Sequence, residues 1–582
     1  MQKFTKGKII GMLIGAAVAA WIGNRASEFV RALLAQGRAS KDYIGEFMEF
    51  VKADPLALST HETDLTTAAV CAVAVLLVVF YNLASRKPTR PGEEQGSAGW
   101  ATPKQLAKYV DKQPARRIQL AQGVAMSVDG HKTQRNNNVT VIGGSGSGKT
   151  RSYVMPNITT LECSTATTDP KGEIRAKAEP ILTERGVAVR VFNLVDLRNS
   201  HGFNPLRYVD EEAPETSIAQ LAEGIVMNTS GSRDGPGKDA FWDRAERALL
   251  TALIAYVWAT TPEAEDHEAS LADVVDLHKR MASGEGKAAK VQSEVDLEMQ
   301  AAREVVAEYH ANPPRVPSGL TGEERAAAER RLRIEARAMR VLDFATRQYR
   351  IYEQGPGETK MSIIISLGVR LSPLDMWEVR QIISRDTIAL DRIGMEPTAL
   401  FLELPDTHGT FNFLAALFWQ CLFEKNIYIA DHSEPRGLKV PVHCFLDEFA
   451  NLGMIPNFER VIATIRSRGI SVSVIVQAMS QGKAVWQDHW PTIVGNCDSV
   501  LFLGAMDLET REWISKQLGT ETVIEEDFSK SYGASKGGSR STRTVKRDLM
   551  TPDEVGRLST DEAIVMIRGE RPIKARKAKA LK

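Results

Sequence analysis

The sequence predicts an α/β protein: a parallel-rich sheet covered by helices, opened by an all-helical insertion and preceded by two membrane-spanning helices. Three observations carry this. Short apolar runs alternate with helical patterns on both sides of a long stretch without strand signal. A glycine-rich loop joins one of those runs to the start of a helix. Two long uncharged runs lie close to the N-terminus.

The composition is that of an ordinary folded protein, and 582 residues are too many for one core. Basic and acidic residues number 73 each, so the chain is no polycation. Any contact with nucleic acid must come from local patches. The five cysteines show no metal-ligand spacing, and buried reduced thiols are expected.

Residues 1–95 read as a membrane anchor. Residues 9–23 (IIGMLIGAAVAAWIG) and 65–84 (LTTAAVCAVAVLLVVFYNLA) predict helices over about 5–26 and 65–84. A secretory signal is set aside because no small-residue cleavage site precedes Asn24-Arg25 and a second span follows. Lys3, Lys6 and Lys8 flank one outer end, and Arg86, Lys87 and Arg90 the other. The positive-inside rule then puts both termini in the cytoplasm and residues 24–64 outside it. A Pro/Gly/charged linker, 87–95, leads to the soluble part.

Residues 96–209 form the first part of a nucleotide-binding domain. Runs at 124–128 and 139–142 read as strands. Then come Gly143, Gly144, Ser145, Gly146, Ser147, Gly148, Lys149 and Thr150, a match to G-x-x-x-x-G-K-[ST], with Arg151 behind them. Glycines let successive N–H groups turn inward, and the helix start adds its own, so the loop is built to cradle phosphate. Lys149 is expected on the β- and γ-phosphates of ATP and Thr150 on Mg²⁺. A further strand ends in Thr168-Asp169-Pro170-Lys171-Gly172-Glu173, where α/β sheets place ligand-binding groups, and 186–193 is another.

Residues 210–386 read as an all-α domain. Segments 294–310 and 321–354 are charged and alanine-rich, with many opposite-charge pairs four residues apart. Residues 387–570 resume the nucleotide-binding domain, with a strand at 399–404, a helix at 411–425 and a strand through 442–446. This last delivers Asp447 and Glu448, the first expected to hold Mg²⁺ and the second to polarise the attacking water. A helix over 461–469 carries Arg466 and Arg468, either of which could serve a neighbouring subunit's phosphates. The strand 471–476 ends at Gln477, placed to sense the γ-phosphate. Strands at 498–503 and 563–567 follow. Residues 571–582, with Lys574, Arg576, Lys577, Lys579 and Lys582, read as a basic tail.

Together these features resemble a type IV secretion coupling protein of the TraG/VirD type, within the FtsK/HerA group of RecA-like motor ATPases. The resemblance rests on the two spans, GSAGWA (96–101), the P-loop, TDPKGE (168–173), FNPL (203–206), LDEFANLG (446–453), IRSRGISVSVIVQ (465–477) and LMTPDEVGRL (549–558). It implies a RecA-like fold, Arg466 as arginine finger and Gln477 as sensor, and hexameric rings at the bacterial inner membrane in contact with its lipid. It also implies delivery of relaxase-bound single-stranded DNA, with relaxosome proteins or protein effectors, to the secretion channel proteins. Two alternatives differ in class: an effector receptor that uses ATP mainly for assembly, motivated by the charged helices, and an FtsK-like DNA pump.

Overall fold

The computed structural model describes residues 6–37, 42–84, 90, 92–229, 240–261, 267–281, 292–405, 408–530 and 538–579. Lys3, Arg86, Lys87 and Lys582 lie outside them. The chain divides into two compact units: Met1–Ser97 with Thr522–Lys546, and Ala98–Glu521 with Arg547–Lys582.

In the first unit, helix Lys6–Ala35 packs along helix Glu62–Ala84, with helix Tyr43–Ala53 between them in sequence. Among the described residues one helix, Glu62–Tyr81, is long and apolar enough to cross a membrane. Of the two expected spans, this is the one that meets that measure among the described residues. The first apolar run, 9–23, is short of a bilayer's length, and its helix continues well past the expected end near 26. Past the apolar run the helix carries Asn24, Ser27 and Arg31, whose side chains find partners. Asn24 Nδ2 donates to the Ser59 carbonyl at 3.0 Å. Arg31 Nη2 and Ser27 Oγ both donate to the buried Asp64 carboxylate at 2.7 Å. Toward the other side, Ile10, Leu13, Ile14, Val70, Val73 and Leu77 are exposed.

The strands, in chain order, are β1 (Arg117–Ala121), β2 (Val124–Ser127), β3 (Val139–Ile142), β4 (Ser164–Asp169), β5 (Ala188–Asn193), β6 (Thr398–Glu403), β7 (Val442–Leu446), β8 (Ile470–Val476), β9 (Ser499–Phe502), β10 (Thr520–Lys530), β11 (Gly538–Asp548), β12 (Glu562–Ile567) and β13 (Ile573–Arg576). Nine of them form the central sheet, in the order β13-β12-β9-β3-β8-β7-β4-β6-β5. From β9 to β5 every pair is parallel; β12 is antiparallel to β9 and to β13. The expected strand at 124–128 joins β1 in a separate ribbon, and β10 and β11 form another. The basic tail expected over 571–582 is corrected in part, because Ile573–Arg576 is the edge strand β13. Its alternating Ile573 and Ala575 face apolar partners, and antiparallel pairing absorbs its backbone donors.

The sheet is covered on both faces, as strands buried all along their length require. Val139, Val141, Phe445, Ile475 and Leu501 point to the face covered by Tyr153, Ile158, Ile174 and Leu182. Their neighbours Ile142, Cys444, Leu446, Val474, Val476 and Phe502 point to the other, packed by helices Pro214–Thr229 and Asn412–His432. Between β5 and β6 the described chain is helical, from Pro214–Thr229 to Trp377–Ile383, without a strand. There Arg370 bonds the buried Glu246, and also Asp243 at 2.7 Å. The five cysteines are free thiols, three of them buried.

Candidate nucleotide-binding site

Parallel strands end together, so residues far apart in sequence meet along one edge of the sheet. Ile142 of β3 pairs with Val476 of β8, and Leu446 of β7 with Val474. The segments that follow, the glycine-rich loop, Gln477 and Asp447-Glu448, therefore converge. On β4, Thr167 pairs with Phe445; two residues further on, the chains place Asp169 and Asp447. Asp169 in turn pairs with Glu403 of β6.

The loop is held by its own backbone. Gly143 N–H donates to the Val476 carbonyl at 3.0 Å and Gly144 N–H to the Gly504 carbonyl at 2.8 Å. Gly146 and Gly148 sit at φ +72° and +89°, where a Cβ is strained. Lys149 is buried, and its Nζ donates to the Gly143 carbonyl at 2.9 Å. The chain then enters a π-helical turn, Thr150–Val154, before the α-helix Met155–Thr160. Pro156 gives the reason: it lacks an N–H, and its ring would press on the carbonyl four residues back, which the wider turn relieves.

Across from Lys149, the Glu448 carboxylate is 3.5 Å from Nζ. Gln477 Nε2 donates to both its oxygens, at 3.1 and 3.0 Å. Glu448 sits at φ +51°, a left-handed conformation that costs a side-chain-bearing residue about 1–2 kcal/mol. The next residue anchors it: Phe449 is buried and stacks on Trp486, with centroids 5.0 Å apart. Asp447 is buried, and burial, followed by the Glu448 charge, pushes its pKa up to about 6. Asp169 is raised by burial too, while the Arg175 N–H donates to it at 2.8 Å.

Of the residues singled out in the sequence, Lys149, Thr150, Asp447, Glu448 and Gln477 and the loop Gly143, Gly144, Ser145, Gly146, Ser147 and Gly148 lie at this one edge, with Arg151 on the first turn of the helix. Arg466 and Arg468 do not. They precede β8, so they sit at the opposite edge, roughly 20 Å away at the rise of an extended strand. Arg466 is exposed and donates to the Gly130 carbonyl at 2.9 Å. Arg468 grips Asp431 at 2.9 and 2.7 Å, which makes it a structural ion pair. The expected helix over 461–469 is split into helix Phe458–Thr464 and a 3₁₀ turn, Ile465–Arg468.

Sequence reading missed two contributors. His443, within β7, is buried, with Nδ1 2.7 Å from Ser471 Oγ and Nε2 2.7 Å from Ser473 Oγ. Ser473 Oγ also lies 2.7 Å from the Tyr153 hydroxyl, which ties the helix behind the loop to the strand carrying Asp447. Burial pushes the His443 pKa down to about 3, so the ring is neutral. The polar residues at 153, 443, 471 and 473 were the available signal, hidden because their bonds cross strands. Lys577 Nζ reaches the loop from the C-terminal end, donating to the carbonyls of Ser147 and Leu503, both at 2.8 Å. Burial lowers its pKa, as does the nearby charge of Arg151.

The FNPL and TDPKGE segments are structural ties in addition. Asn204 Nδ2 donates to the Ala269 carbonyl at 2.9 Å, and Asp169 accepts the Arg175 N–H at 2.8 Å.

The chain is similar to "Probable conjugal transfer protein TraG" of Sinorhizobium fredii, 24% identical over 450 residues, covering 75% of this chain and 61% of that protein. It is similar to "Protein VirD4" of Rhizobium radiobacter, 22% identical over 447 residues, covering 75% and 56%. It thus spans about three-fifths of the length of the curated relatives it matches. Among solved structures, the plasmid coupling protein TrwB in complex with the ATP analogue ADPNP superposes with a TM-score of 0.54 at 14% identity, covering 85% of this chain and 96% of that one. TrwB in complex with ADP and Mg²⁺ gives 0.52 at 14%, covering 86% and 97%. These establish a shared fold. The family model for type IV secretory system conjugative DNA transfer matches residues 93–581. On that match, which takes in the sheet, the loop and the carboxylate edge together, the chain belongs to the type IV secretory system conjugative DNA transfer family, the coupling proteins of the TraG/VirD type.

Proposed function

We propose that this chain is a ring-forming ATPase of the bacterial inner membrane. It couples ATP hydrolysis to delivery of relaxase-bound single-stranded DNA, with or without protein substrates, to a type IV secretion channel during conjugation. The single observation that carries the reading is the meeting of Lys149, Glu448 and Gln477 at one strand edge. The loop N–H groups and Lys149 hold the β- and γ-phosphates. Glu448 orients the attacking water and draws on its proton, and Gln477 fixes the carboxylate. Thr150 and Asp447 offer hard oxygen donors, and the buried Asp447 is crowded by the charges of Glu448 and Asp169, an environment that suits Mg²⁺. That ion supplies charge neutralisation at the phosphates when bound.

Arg466, remote from its own loop, serves a neighbour's site in the ring, taken as a hexamer on the family resemblance. Helix Glu62–Ala84 and helix Lys6–Ala35, which packs along it, cross the membrane as a pair, so both termini lie in the cytoplasm, and the exposed apolar faces of the first unit meet lipid. Relaxosome and channel proteins are the expected partners.

The test is ATP hydrolysis by the full chain in detergent, with and without single-stranded DNA. Hydrolysis stimulated by DNA is expected. Normal nucleotide binding with no turnover in either condition would sink the motor reading. One observation favours an effector receptor instead: the first half of helix Gly322–Glu353 is charged and largely exposed. Crosslinking in cells that recovers protein effectors without DNA would favour it.

A further inference from the structure

The edge of the central sheet next to β9 is an antiparallel hairpin. β12 runs against β9, and β13 runs against β12. Two reversals leave β13 parallel to β3, so its C-terminal end emerges at the edge where the glycine-rich loop lies. Lys577 is the first residue past β13. Its backbone N–H is fixed on the Asp561 carbonyl at 2.8 Å, and its buried side chain reaches across to the loop.

The bond it makes there has a geometric consequence. The Ser147 carbonyl and the Gly148 N–H belong to one planar peptide group and point in opposite directions. With the carbonyl held on Lys577 Nζ at 2.8 Å, the direction of the Gly148 N–H is set as well. The loop needs such a constraint, because Gly146 and Gly148 have no side chains to restrict them and the tip, Ser145 and Gly146, is exposed. The second acceptor is the Leu503 carbonyl, at 2.8 Å. Leu503 N–H itself donates to the Ile142 carbonyl at 2.8 Å, so the lysine fastens the loop to the sheet and not merely to another loop. The same ammonium adds a positive charge on the side of the loop near Arg151.

We infer that Lys577 is a positioning residue for the triphosphate site: it presets the loop's N–H donors and adds to the positive field that draws phosphate. This rests on the nucleotide reading above. A residue near the C-terminal end of the chain thereby becomes part of a site whose motif lies in its first third.

The experiment uses the full chain in detergent, with binding of mant-ATP and Mg²⁺ followed by fluorescence and steady-state hydrolysis measured beside it. Lys577→Met keeps the stem and removes the charge and both hydrogen bonds. Lys577→Arg restores a charged donor, and Lys149→Ala is the control for the site as a whole. Lys577→Met is expected to weaken mant-ATP binding about tenfold, the usual worth of a charge-assisted bond. KM for ATP rises to match, kcat at saturation stays near wild type, and Lys577→Arg recovers most of the loss. If Lys577→Met binds like wild type while Lys149→Ala does not, this inference fails and the nucleotide reading stands. If the methionine and arginine variants lose binding equally, together with a lowered unfolding temperature, the role is structural and the inference fails as well. If the folded wild type binds no nucleotide, both fall.

Discussion

Gln477 holds both carboxylate oxygens of Glu448 with one amide nitrogen, at 3.1 and 3.0 Å, across the neighbouring strands β8 and β7. Glu448 occupies a strained backbone position, and its side chain is half-buried with Lys149 at 3.5 Å. A carboxylate gripped in this way presents one orientation. Gln477→Ala frees it, and turnover of ATP is expected to fall about 10²-fold, the cost of a misplaced catalytic group, with nucleotide affinity changed little. Gln477→Glu, which sets a second carboxylate against the first, should be worse. Steady-state hydrolysis beside mant-ATP titration checks this; parallel losses in both would assign Gln477 to binding.

Lys149 and Glu448 face each other but should fail differently. Lys149→Ala removes the charge partner of the phosphates, so binding itself is lost. Glu448→Gln keeps the shape and removes the base, so ATP stays bound while hydrolysis drops by about 10²–10⁴. Filter binding of radiolabelled ATP together with phosphate release distinguishes them. A Glu448→Gln variant with wild-type turnover would remove Glu448 from the chemistry.

Arg466 lies at the far edge of the sheet from its own loop. Arg466→Ala should leave ATP affinity unchanged and lower turnover about 10³-fold or more, as loss of an arginine finger does. In rings mixed from Arg466→Ala and Lys149→Ala chains, some activity should return, since an intact arginine can meet an intact loop across a boundary. Loss of ATP binding by a lone Arg466→Ala subunit would show the trans role to be wrong.

His443 predicts a pH dependence of stability. Folded, its pKa is pushed down to about 3 by burial; unfolded, it takes a proton near the ordinary value of about 6.5. Below that value the unfolded chain binds the extra proton, so this contribution to stability is complete above pH about 6.5 and is lost as pH falls toward 3. At about 1.4 kcal/mol per pH unit the loss reaches no more than about 5 kcal/mol. His443→Gln, which keeps a donor and an acceptor for the two serines, should flatten the fall in unfolding temperature between pH 6.5 and 4. Parallel curves for the two proteins would assign the titration to another group.

Much of this architecture was legible in the residues. Val139–Ile142 is β-branched throughout, which marks a strand, and the spacing of Gly143, Gly148, Lys149 and Thr150 defined the loop after it. Asp447 and Glu448 were readable because they follow an apolar strand directly. Other parts were not. β13 carries three basic residues within and just past its span, so its composition reads as a solvated end; only pairing with β12 makes it a strand. The first helix runs beyond its apolar segment because Asn24, Ser27 and Arg31 find partners in residues 59–64, which no local pattern announces.

By itself the sequence determined which chemistry is present: a phosphate loop, a carboxylate pair, an apolar span and the order in which they come. These are properties of residue type and short spacing, and short spacing is all that local backbone geometry needs. The tertiary structure alone decided who stands beside whom: Gln477 on Glu448, Arg468 on Asp431, Lys577 on Ser147. Strand order in a sheet is set by packing and hydrogen bonding between segments hundreds of residues apart, and nothing in either segment encodes its neighbour.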